Sequence, residues 1–425
     1  MTNKLFTDFA FIPEIQNAIK KTGYESPTPI QTLTIPHLLE NRDLIGCAQT
    51  GTGKTAAFAL PLLNKLALRK KNVSAKNASS LILTPTRELA VQIAENFKTY
   101  GLGLNLKMAL AYGGVSIGPQ IKDLHNGVDV LIATPGRLLD LMQQNKVSLK
   151  FVETFILDEA DRMLDMGFIN DIKKVIANLP RQRQTILFSA TMPKEIEGLA
   201  NSILINPIRV DVAPPATTAE KVEQIVMLVE TAHKRDLLRH LLAKPEFKRV
   251  MVFTRTKHGA NRVSEVLTKN KILSDAIHGN KSQNARQRSI ENLKAGKIQV
   301  LIATDVAARG IDIDNITHVI NYDVPNVAES YVHRIGRTAR AGTEGIAISF
   351  CDSEEKAFIA DIEKTIKMKI PIDKKHPYHS VKVEQAPLIS KGKAKAQLEK
   401  STNERHNKYR KLRKVFGSSK GSTRK

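Results

Sequence analysis

The sequence predicts an α/β protein of two tandem domains, each a parallel sheet flanked by helices. A short apolar strand, a glycine-rich loop and an apolar helix follow one another between Asp43 and Leu66. A second series of apolar strands begins after residue 222, and Val-Leu-Ile-Ala-Thr occurs both at 130–134 and at 300–304. The alternation of strands and helices predicts parallel sheets, and the repeated pentapeptide indicates that the halves share a fold.

The length of 425 residues suggests two or three domains, each large enough for its own core. The expected divisions are a first domain over 1–210, a linker over 211–221, a second domain over 222–372 and a basic tail over 373–425. The linker is placed at Val212–Ala219, which is rich in proline and threonine and has no apolar periodicity.

Composition points to a polyanionic partner. The chain has 65 Lys+Arg against 42 Asp+Glu, a net charge of +23, which favours nucleic acid or a membrane face. No apolar run approaches the length of a membrane span, and the first residues lead into no signal-peptide core. Cys47 and Cys351 lie in apolar, strand-like stretches and are expected to be small core residues in a reducing cytosol. These features predict a cytoplasmic protein.

The glycine-rich loop has the composition of a phosphate cradle. Gly51 and Gly53 permit the backbone to bend, so that successive N–H groups and the following helix N-terminus face a phosphate. Lys54 would reach the β and γ phosphates, and the Thr55 hydroxyl would hold Mg²⁺. The strict pattern has glycine where this chain has Ala48. The complete loop is Ala48, Gln49, Thr50, Gly51, Thr52, Gly53, Lys54 and Thr55.

Two features precede this loop. Apolar residues from Leu5 to Lys20 recur at helical spacing, and Pro27 and Pro29 then predict a rigid, extended arm that ends at Gln31. A glutamine side chain can donate to and accept from the edge of adenine at once, so Gln31 is a candidate base reader. Its position before a phosphate loop favours ATP over GTP.

Two predicted strands, 81–83 and 130–133, end in similar polar residues. Thr86 and Arg87 follow the first, and Thr134 and Arg137 follow the second. Ligands of open α/β sheets bind at the carboxyl ends of strands, and these residue types suit a phosphodiester backbone. The alternative is that they are helix caps with solvated arginines. Gly113-Gly114 lies between them and would allow close backbone approach or form a simple turn.

The strand predicted at 154–157 runs into Asp158, Glu159 and, after one residue, Asp161. An acidic pair at a strand end after a phosphate loop is suited to metal binding and water activation. Asp158 would bind the metal, and Glu159 would orient and deprotonate the attacking water. A further strand at 185–188 ends in Ser189-Ala190-Thr191, whose hydroxyls could bond the nearby carboxylates.

The second half has strands predicted at 250–253, 300–303, 318–321 and 345–350. Arg334, Arg337 and Arg340 follow at spacings of three, and they form either a solvated helix face or a phosphate-binding set. No phosphate loop occurs in this half, so any phosphate that they contact must be bound by the first.

The end of the chain is strongly basic. Residues 381–425 contain 14 Lys+Arg and 3 Asp+Glu, a net charge of +11 that is about half of the chain's surplus. The segment is poor in large apolar residues, so disorder is expected, with a short helix possible over 394–415. A basic tail of this kind binds nucleic acid or keeps the protein soluble.

These motifs together resemble those of the DEAD-box RNA helicases over roughly residues 4–372. The chain has, in family order, Pro-Thr-Pro-Ile-Gln at 27–31, the phosphate loop, Pro-Thr-Arg-Glu-Leu-Ala at 85–90, Thr-Pro-Gly-Arg at 134–137, Asp-Glu-Ala-Asp at 158–161, Ser-Ala-Thr at 189–191, Ala-Thr-Asp-Val-Ala-Ala-Arg-Gly at 303–310 and His-Arg-Ile-Gly-Arg-Thr at 333–338. Ala48 is the family's usual variant, whereas Ala339 stands where most members have glycine. The stretches 252–261 and 277–283 resemble the bacterial RhlE-type branch.

The resemblance implies two RecA-like domains that close over ATP, Mg²⁺ and single-stranded RNA. The residues implied to bind nucleotide, besides the loop and Gln31, are Phe6, Tyr24 and Asp312. Those implied to link hydrolysis to domain closure are Asp161, Ser189, Thr191 and His333. Those implied to line the RNA path are Pro85, Thr86, Arg87, Gly114, Thr134, Gly136, Arg137, Arg255, Arg286 and Thr304. Arg337 and Arg340 would act as arginine fingers.

Three functions fit these residues. The first is an ATP-dependent RNA helicase that separates duplexes locally, and the second is an ATP-gated RNA clamp or remodeller with little unwinding. The third is a DNA-directed helicase. The motifs separate the first two poorly because clamps carry the same residues.

Overall fold

The computed structural model describes residues 4–49, 51–69, 73–212, 222–308, 313, 316–338 and 345–397. The chain forms two compact units, of which the first consists mainly of residues 4–212 and the second mainly of residues 222–397. Within these residues no helix is both long and apolar enough to cross a membrane. The predicted linker over 211–221 lies almost entirely outside the described residues.

The first unit has a seven-stranded parallel sheet in the order β3-β4-β2-β5-β6-β1-β7. The strands are β1 Leu44–Cys47, β2 Ala78–Leu83, β3 Met108–Ala111, β4 Val128–Ala133, β5 Thr154–Asp158, β6 Gln184–Ser189 and β7 Ile208–Asp211. The helices of this unit are Pro13–Lys21, Pro29–Leu39, Lys54–Leu68, Arg87–Tyr100, Ile117–Leu124, Pro135–Gln143, Ala160–Asp165, Ile169–Ile176 and Lys194–Ile203.

Helices cover both faces of this sheet because successive side chains of a strand point to opposite sides. In β5, Ile156 packs into one apolar cluster with the helix Lys54–Leu68, while Phe155 and Leu157 pack into a second cluster on the other face. Asp43 ties the sheet's amino end together, since its carboxylate accepts from the backbone N–H groups of Thr185 and Ile205, both at 2.7 Å. The core is thus double-sided, as expected for a parallel sheet flanked by helices.

The second unit repeats this architecture with a six-stranded parallel sheet in the order β10-β11-β9-β12-β13-β8. Its strands are β8 Val222–Leu228, β9 Val250–Phe253, β10 Ser274–Ile277, β11 Val300–Ala303, β12 His318–Asn321 and β13 Gly345–Cys351. Its helices are Lys234–Leu242, Lys257–Lys269, Gln283–Lys294, Asp305–Ala308, Ala328–Ile335, Lys356–Ile366 and Val381–Gln385. The prediction of two parallel-sheet domains is confirmed.

The amino-terminal segment differs from its prediction in two places. The apolar stretch over 5–20 is a short 3-10 helix, Phe6–Asp8, followed by the helix Pro13–Lys21. The proline arm is extended only up to Thr28, because Pro29 begins the helix Pro29–Leu39 and Gln31 lies in its first turn. Proline fits the first position of a helix, where no backbone N–H is needed.

The segment 371–397 is ordered, so the expectation of disorder from residue 381 onward is wrong for 381–397. Along the edge strand β8, the Asp373 N–H donates to the Val226 carbonyl and the Val226 N–H donates to the Pro371 carbonyl, both at 2.9 Å. The helix Val381–Gln385 follows, and Lys356 donates to the carbonyl of Glu384 at 2.9 Å. Val383 is 3% exposed and Ala394 is fully buried. Residues 371–397 therefore belong to the second unit, whereas 398–425 lie outside the described residues.

Candidate active site

The carboxyl ends of β1, β5 and β6 bring the predicted nucleotide-site residues together. These strands are adjacent in the order β5-β6-β1, with Cys47 level with Ser189 and Asp158 level with Phe188. The phosphate loop follows β1, the acidic residues follow β5, and Thr191 follows β6. In parallel sheets such a shared edge is where ligands bind.

The loop itself is held in a closed turn. Gly51 and Gly53 have φ angles of +85° and +91°, which side-chain-bearing residues rarely adopt. The Lys54 ammonium donates to the carbonyl of Ala48 at 2.9 Å, and the Thr52 hydroxyl donates to that of Gln49 at 2.8 Å. Lys54 and Thr55 begin the helix Lys54–Leu68, as the motif requires. Thr50 lies outside the described residues.

Gln31 is packed directly against this loop. Its Oε1 accepts from the Thr28 N–H at 2.9 Å, and its Nε2 donates to the Gly53 carbonyl at 3.1 Å. A Cβ on Gly53 would lie 2.5 Å from that Nε2, so glycine is needed for the contact. An amide has two N–H groups and two lone pairs, which leaves one of each for a base edge. Gln31 thus links a base-reading position to the phosphate loop.

The other residues implied to bind the base, Phe6 and Tyr24, form an aromatic cluster with Tyr100. Phe6 stacks on Tyr24 with ring centroids 6.1 Å apart, and the Tyr24 hydroxyl lies 3.0 Å from that of Tyr100. Gln16 holds the amino-terminal segment by donating to the carbonyls of Phe6 and Phe9. Phe6 is buried, whereas Tyr24 is 41% exposed. Of the two aromatic candidates, Tyr24 presents the accessible ring.

Asp158 has the chemistry that a hard cation requires. Its carboxyl is 3% exposed, and Oδ1 has no hydrogen-bond partner among the described residues. Burial raises its pKa to about 7, although Lys54 opposes the shift. Uncompensated burial of a carboxylate is unfavourable, and a Mg²⁺ ion would relieve it. Among the described residues, no three acidic, His or Cys side chains are arranged so that they could hold a metal ion by themselves.

Glu159 adopts a left-handed backbone conformation, with φ of +57°, immediately before the helix Ala160–Asp165. Such backbone strain costs about 1–3 kcal/mol at a residue other than glycine and is common at active sites. Its carboxylate is paired with the Arg162 guanidinium, and both side chains are buried. The sequence reasoning missed Arg162, and only the spacing of three residues on a helix could have indicated the pair.

Asp161 joins the acidic motif to the hydroxyl motif. Its Oδ2 accepts from the backbone N–H of Thr191 at 2.8 Å and from the Thr191 hydroxyl at 2.9 Å. Ser189 bonds differently from the expectation, since its hydroxyl accepts from the Asp161 N–H and donates to the Thr191 carbonyl. The two strand ends, β5 and β6, are therefore linked rigidly beside Asp158.

The residues predicted to line the RNA path in the first unit lie at a different part of the same sheet edge. They follow β2, β3 and β4, which are adjacent in the order β3-β4-β2. Thr86 caps the helix Arg87–Tyr100 by accepting from the Leu89 N–H at 3.3 Å, and Thr134 precedes the helix Pro135–Gln143. The set that meets there is Pro85, Thr86, Arg87, Gly114, Thr134, Gly136 and Arg137.

The two arginines of this set are held against the backbone between β3 and the helix Ile117–Leu124. A Cβ on Gly114 would lie 1.9 Å from Arg87 Nη1, and Gly114 has a φ of +78°. Arg137 donates to Gln120 Oε1 at 3.0 Å and to the Val115 carbonyl at 3.1 Å. Both arginines are thus half-buried against the chain and not fully solvated, and Thr86 does serve as a helix cap. Glycine at 114 is required by close approach and not merely by a turn.

The candidates of the second unit also lie near strand ends. Arg255 follows β9 and Thr304 follows β11, which are adjacent strands, while Arg286 lies in the first turn of the helix Gln283–Lys294. His333 lies in the helix Ala328–Ile335, and Arg337 Nε donates to its carbonyl at 3.3 Å. Asp312 and Arg340 lie outside the described residues.

Arg334 corrects the prediction that all three arginines form one set. It is 2% exposed and donates to both oxygens of Asp305, at 2.5 and 2.8 Å, and to Asn321 at 3.1 Å. Phe253 packs against its guanidinium at 5.0 Å. Arg334 is therefore a structural residue of the second unit, because its guanidinium is paired with the carboxylate of Asp305. The sequence reasoning did not predict its pairing with Asp305.

Of the two cysteines predicted to be core residues, Cys351 is buried as expected, whereas Cys47 is half-buried. Both are free thiols. Burial and a hydrogen bond to Asp211 raise the pKa of Cys47 to about 12. Neither thiol therefore has nucleophilic character at neutral pH.

A phosphate loop after β1 with carboxylates at a nearby strand end defines a P-loop NTPase of two RecA-like units. Residues 28–199 match the DEAD/DEAH box helicase family, and residues 233–342 match the helicase conserved C-terminal domain. The chain belongs to the DEAD-box ATP-dependent RNA helicases.

Curated relatives support this assignment. The chain is 43% identical over 365 residues to the DEAD-box ATP-dependent RNA helicase CshA of Bacillus licheniformis, covering 86% of this chain and 74% of that protein. It is 42% identical to the ATP-dependent RNA helicase CshA of Listeria monocytogenes, with 86% and 69% covered.

Solved structures of DEAD-box proteins also match this chain. Dbp5 of Saccharomyces cerevisiae bound to RNA and ADP BeF3 matches with a TM-score of 0.76 at 31% identity, over 87% of this chain and 96% of that one. A DEAD box protein from Methanococcus jannaschii matches with a TM-score of 0.52 at 39% identity, over 87% and 99%.

Proposed function

We propose that this helicase hydrolyses ATP with Mg²⁺ at the β5-β6-β1 edge and uses the cycle to separate or remodel RNA duplexes locally. The observation that carries the proposal is the buried, unpartnered Oδ1 of Asp158 at the same sheet edge as the phosphate loop. An acid with an open coordination position beside a phosphate cradle is suited to a metal–nucleotide complex.

Within this site the residues have distinct tasks. Lys54 would exchange the Ala48 carbonyl for the β and γ phosphates, while the loop N–H groups bind the phosphate oxygens. Asp158 and Thr55 would hold Mg²⁺, which would neutralise charge on the phosphates. Gln31, Tyr24 and Phe6 would bind the adenine side of the nucleotide.

Glu159 would accept the proton of the attacking water. Its pairing with Arg162 supports this role, because the buried guanidinium fixes the direction of the carboxylate. The hydrogen bonds between Asp161 and Thr191 would then couple changes at this site to the end of β6.

The second unit would complete hydrolysis and RNA binding. We propose that Arg337 and Arg340 act as arginine fingers and Asp312 contacts the ribose, with His333 coupling to Asp161. Arg255, Arg286 and Thr304 would contact the RNA backbone together with the first-unit set around Arg87 and Arg137. Such contacts to phosphates and sugars give sequence-independent binding.

The finer assignments are also proposals. The stretches 252–261 and 277–283 support an RhlE-type branch, whereas the two relatives reported above carry the name CshA. Ribosome assembly or RNA turnover is the cellular role that such a branch suggests, and a cytoplasmic location remains a prediction. The basic residues after 381 would add RNA affinity.

The test compares ATP turnover of the full chain with single-stranded RNA, with DNA of the same sequence, and without nucleic acid. We expect strong stimulation by RNA alone, and an equal response to DNA would replace the proposal by a DNA-directed helicase. Lys54→Ala is the control, since it removes the phosphate charge partner. A duplex-unwinding assay then decides between helicase and clamp, because a clamp hydrolyses ATP without separating strands.

Glu159→Gln tests the assigned base. We expect it to bind ATP and RNA but to turn over at least about 10² times more slowly, because proton acceptance is lost while the groups proposed to bind nucleotide and RNA remain. Rapid turnover by this variant would show that another group activates the water.

A further inference from the structure

A buried carboxylate, Glu355, lies behind Arg255 in the second unit. Glu355 is 1% exposed and is the residue before the helix Lys356–Ile366. Its Oε1 accepts from Arg255 Nη2 at 2.7 Å and from the backbone N–H of Val324 at 3.1 Å. A carboxylate in this position fixes one end of the guanidinium group, because hydrogen bonds between charged groups are short and directional.

The other oxygen of Glu355, Oε2, forms an ion pair with Lys234. The Lys234 ammonium is 1% exposed and donates to Oε2 at 2.5 Å, with Asp352 3.4 Å away. Burial opposes the charge of Lys234, but the neighbouring carboxylates outweigh it and raise its pKa. Burial raises the pKa of Glu355 to about 7, but Lys234 and Arg255 oppose this shift and so favour the charged carboxylate. Lys234 contacts Oε2, which leaves Oε1 for Arg255.

Arg255 is fixed at its backbone as well. Its N–H donates to Asp323 Oδ2 at 2.8 Å, and its Nη2 donates to the Val324 carbonyl at 3.1 Å. These contacts join the ends of β9 and β12. The side chain nevertheless remains 29% exposed, in contrast to Glu355. The guanidinium is thus held from its inner side and keeps an outer surface that a ligand can reach.

We infer that Glu355 is a positioning residue that orients Arg255 for an RNA phosphate, with Lys234 as its buried counterion. The inference rests on the proposed contact of Arg255 with RNA. A free arginine side chain loses rotamer entropy when it binds a phosphate, and a side chain that is already ordered loses less. Glu355 therefore contributes to RNA affinity without touching RNA.

The test is a double-mutant cycle with Arg255→Ala and Glu355→Gln in the full chain. The measurements are the RNA concentration for half-maximal ATPase, turnover at saturating RNA, and Tm. We expect Glu355→Gln to raise the half-maximal RNA concentration by roughly three- to tenfold, with saturated turnover within about twofold of wild type. In the Arg255→Ala background, Glu355→Gln should cause no further change in RNA dependence.

Glu363→Gln is the matched control, because it is the same substitution at a carboxylate of the helix that Glu355 precedes, where the partner is the exposed Lys369. It should leave the RNA dependence unchanged. If Glu355→Gln prevents folding, Lys234→Met, Asp352→Asn and Glu355→Gln together remove the three buried charges, which is better tolerated than removing one. This triple variant should show the same loss of RNA affinity and the same dependence on Arg255.

Three outcomes would contradict, respectively, the positioning role of Glu355, the RNA contact of Arg255 and the proposed function. An equal effect of Glu355→Gln with and without Arg255 overturns the inference and makes Glu355 a structural residue alone. An Arg255→Ala protein with unchanged RNA dependence overturns the RNA contact of Arg255 and the inference with it. Absence of RNA stimulation in the wild type overturns the proposed function itself.

Discussion

At the scale of single residues, the Asp158 carboxyl combines burial with an open oxygen. The acidic motif could be predicted from the sequence, because a polar pair after an apolar strand is visible in the residue order. The isolation of Oδ1 and the pairing of Glu159 with Arg162 could not be, since both depend on which side chains the fold brings near. The roles of these residues remain predictions.

The raised pKa of Asp158 predicts a pH-dependent Mg²⁺ requirement. Burial raises this pKa from 3.8 to about 7, so the carboxyl is protonated below that pH and must release a proton to bind the ion. The half-saturating Mg²⁺ concentration for ATP turnover should fall roughly tenfold per unit as pH rises toward about 7 and then level off. Without metal, folding stability should decline over the same rise in pH, because the folded state binds the extra proton.

Titrating Mg²⁺ at several pH values between about 6 and about 8 checks this expectation. Asp158→Asn is the control, since its Mg²⁺ requirement should be high and lack this dependence. A half-saturating concentration that stays constant in the wild type would contradict the raised pKa.

Gln31→Ala should reduce the preference for ATP over the other nucleotides by roughly tenfold. Gln31 also supports the phosphate loop through Gly53, so KM should increase for all four nucleotides, with the largest increase for ATP. The measurement is KM for ATP, GTP, CTP and UTP with saturating RNA. If the ratio of ATP to GTP is unchanged while all KM values rise, Gln31 supports the loop and another group reads the base.

At the scale of elements, position in the sheet decided which strands the sequence could predict. The strands predicted within the described residues are central and covered on both faces, so they read as continuous apolar runs. The strands that sequence reasoning missed, β3, β7, β8 and β10, form the edges of the two sheets. Edge strands such as Ser274–Ile277 carry polar residues because part of their surface faces water.

The Gly113-Gly114 turn supplies a prediction at this scale. A side chain at 114 would collide with Arg87 and would require an unfavourable φ, so Gly114→Ala should displace that guanidinium. RNA affinity should fall by about tenfold, while ATP affinity of the RNA-free protein stays unchanged. Gly118→Ala is the matched control because a Cβ there meets only Ser116 at 3.9 Å. Equal RNA binding by both variants would remove Arg87 from the RNA path.

At the scale of the whole molecule, the boundary between the second unit and the basic end lies later than the sequence indicated. Val383, Ile389 and Ala394 pack into the second unit, but their wide spacing gives no helical or strand period. Local composition therefore predicted disorder where tertiary contacts order the chain. A truncation at 381 would remove packed residues together with the basic end.

Two truncations distinguish these parts. Removal of 398–425, which carries 10 Lys+Arg and 2 Asp+Glu, should weaken RNA affinity and flatten its salt dependence while saturated turnover and Tm remain. Removal of 381–425 should in addition lower the stability of the second unit by about 2 kcal/mol or more, because Val383 loses its burial. RNA binding at several salt concentrations, with Tm, measures both. An unchanged salt slope after the shorter deletion would make the basic end a solubility or docking segment.

The chemical groups proposed for ATP hydrolysis are divided between the two units. The first unit contains the phosphate loop and the carboxylates, whereas the candidate arginine fingers belong to the second. Arg334 is committed to Asp305, so Arg334→Ala should lower Tm by leaving a carboxylate unpaired. Arg337→Ala should instead retain ATP binding but lose RNA-stimulated turnover by about 10³-fold or more, as expected for an arginine finger. RNA that binds both units would favour the competent arrangement and so explain the stimulation as a population shift. Arg239→Ala, at an exposed arginine paired with Asp236, is the control for removing one positive charge. If Arg337→Ala hydrolyses ATP at the wild-type rate with saturating RNA, the charge that stabilises the transition state must come from elsewhere.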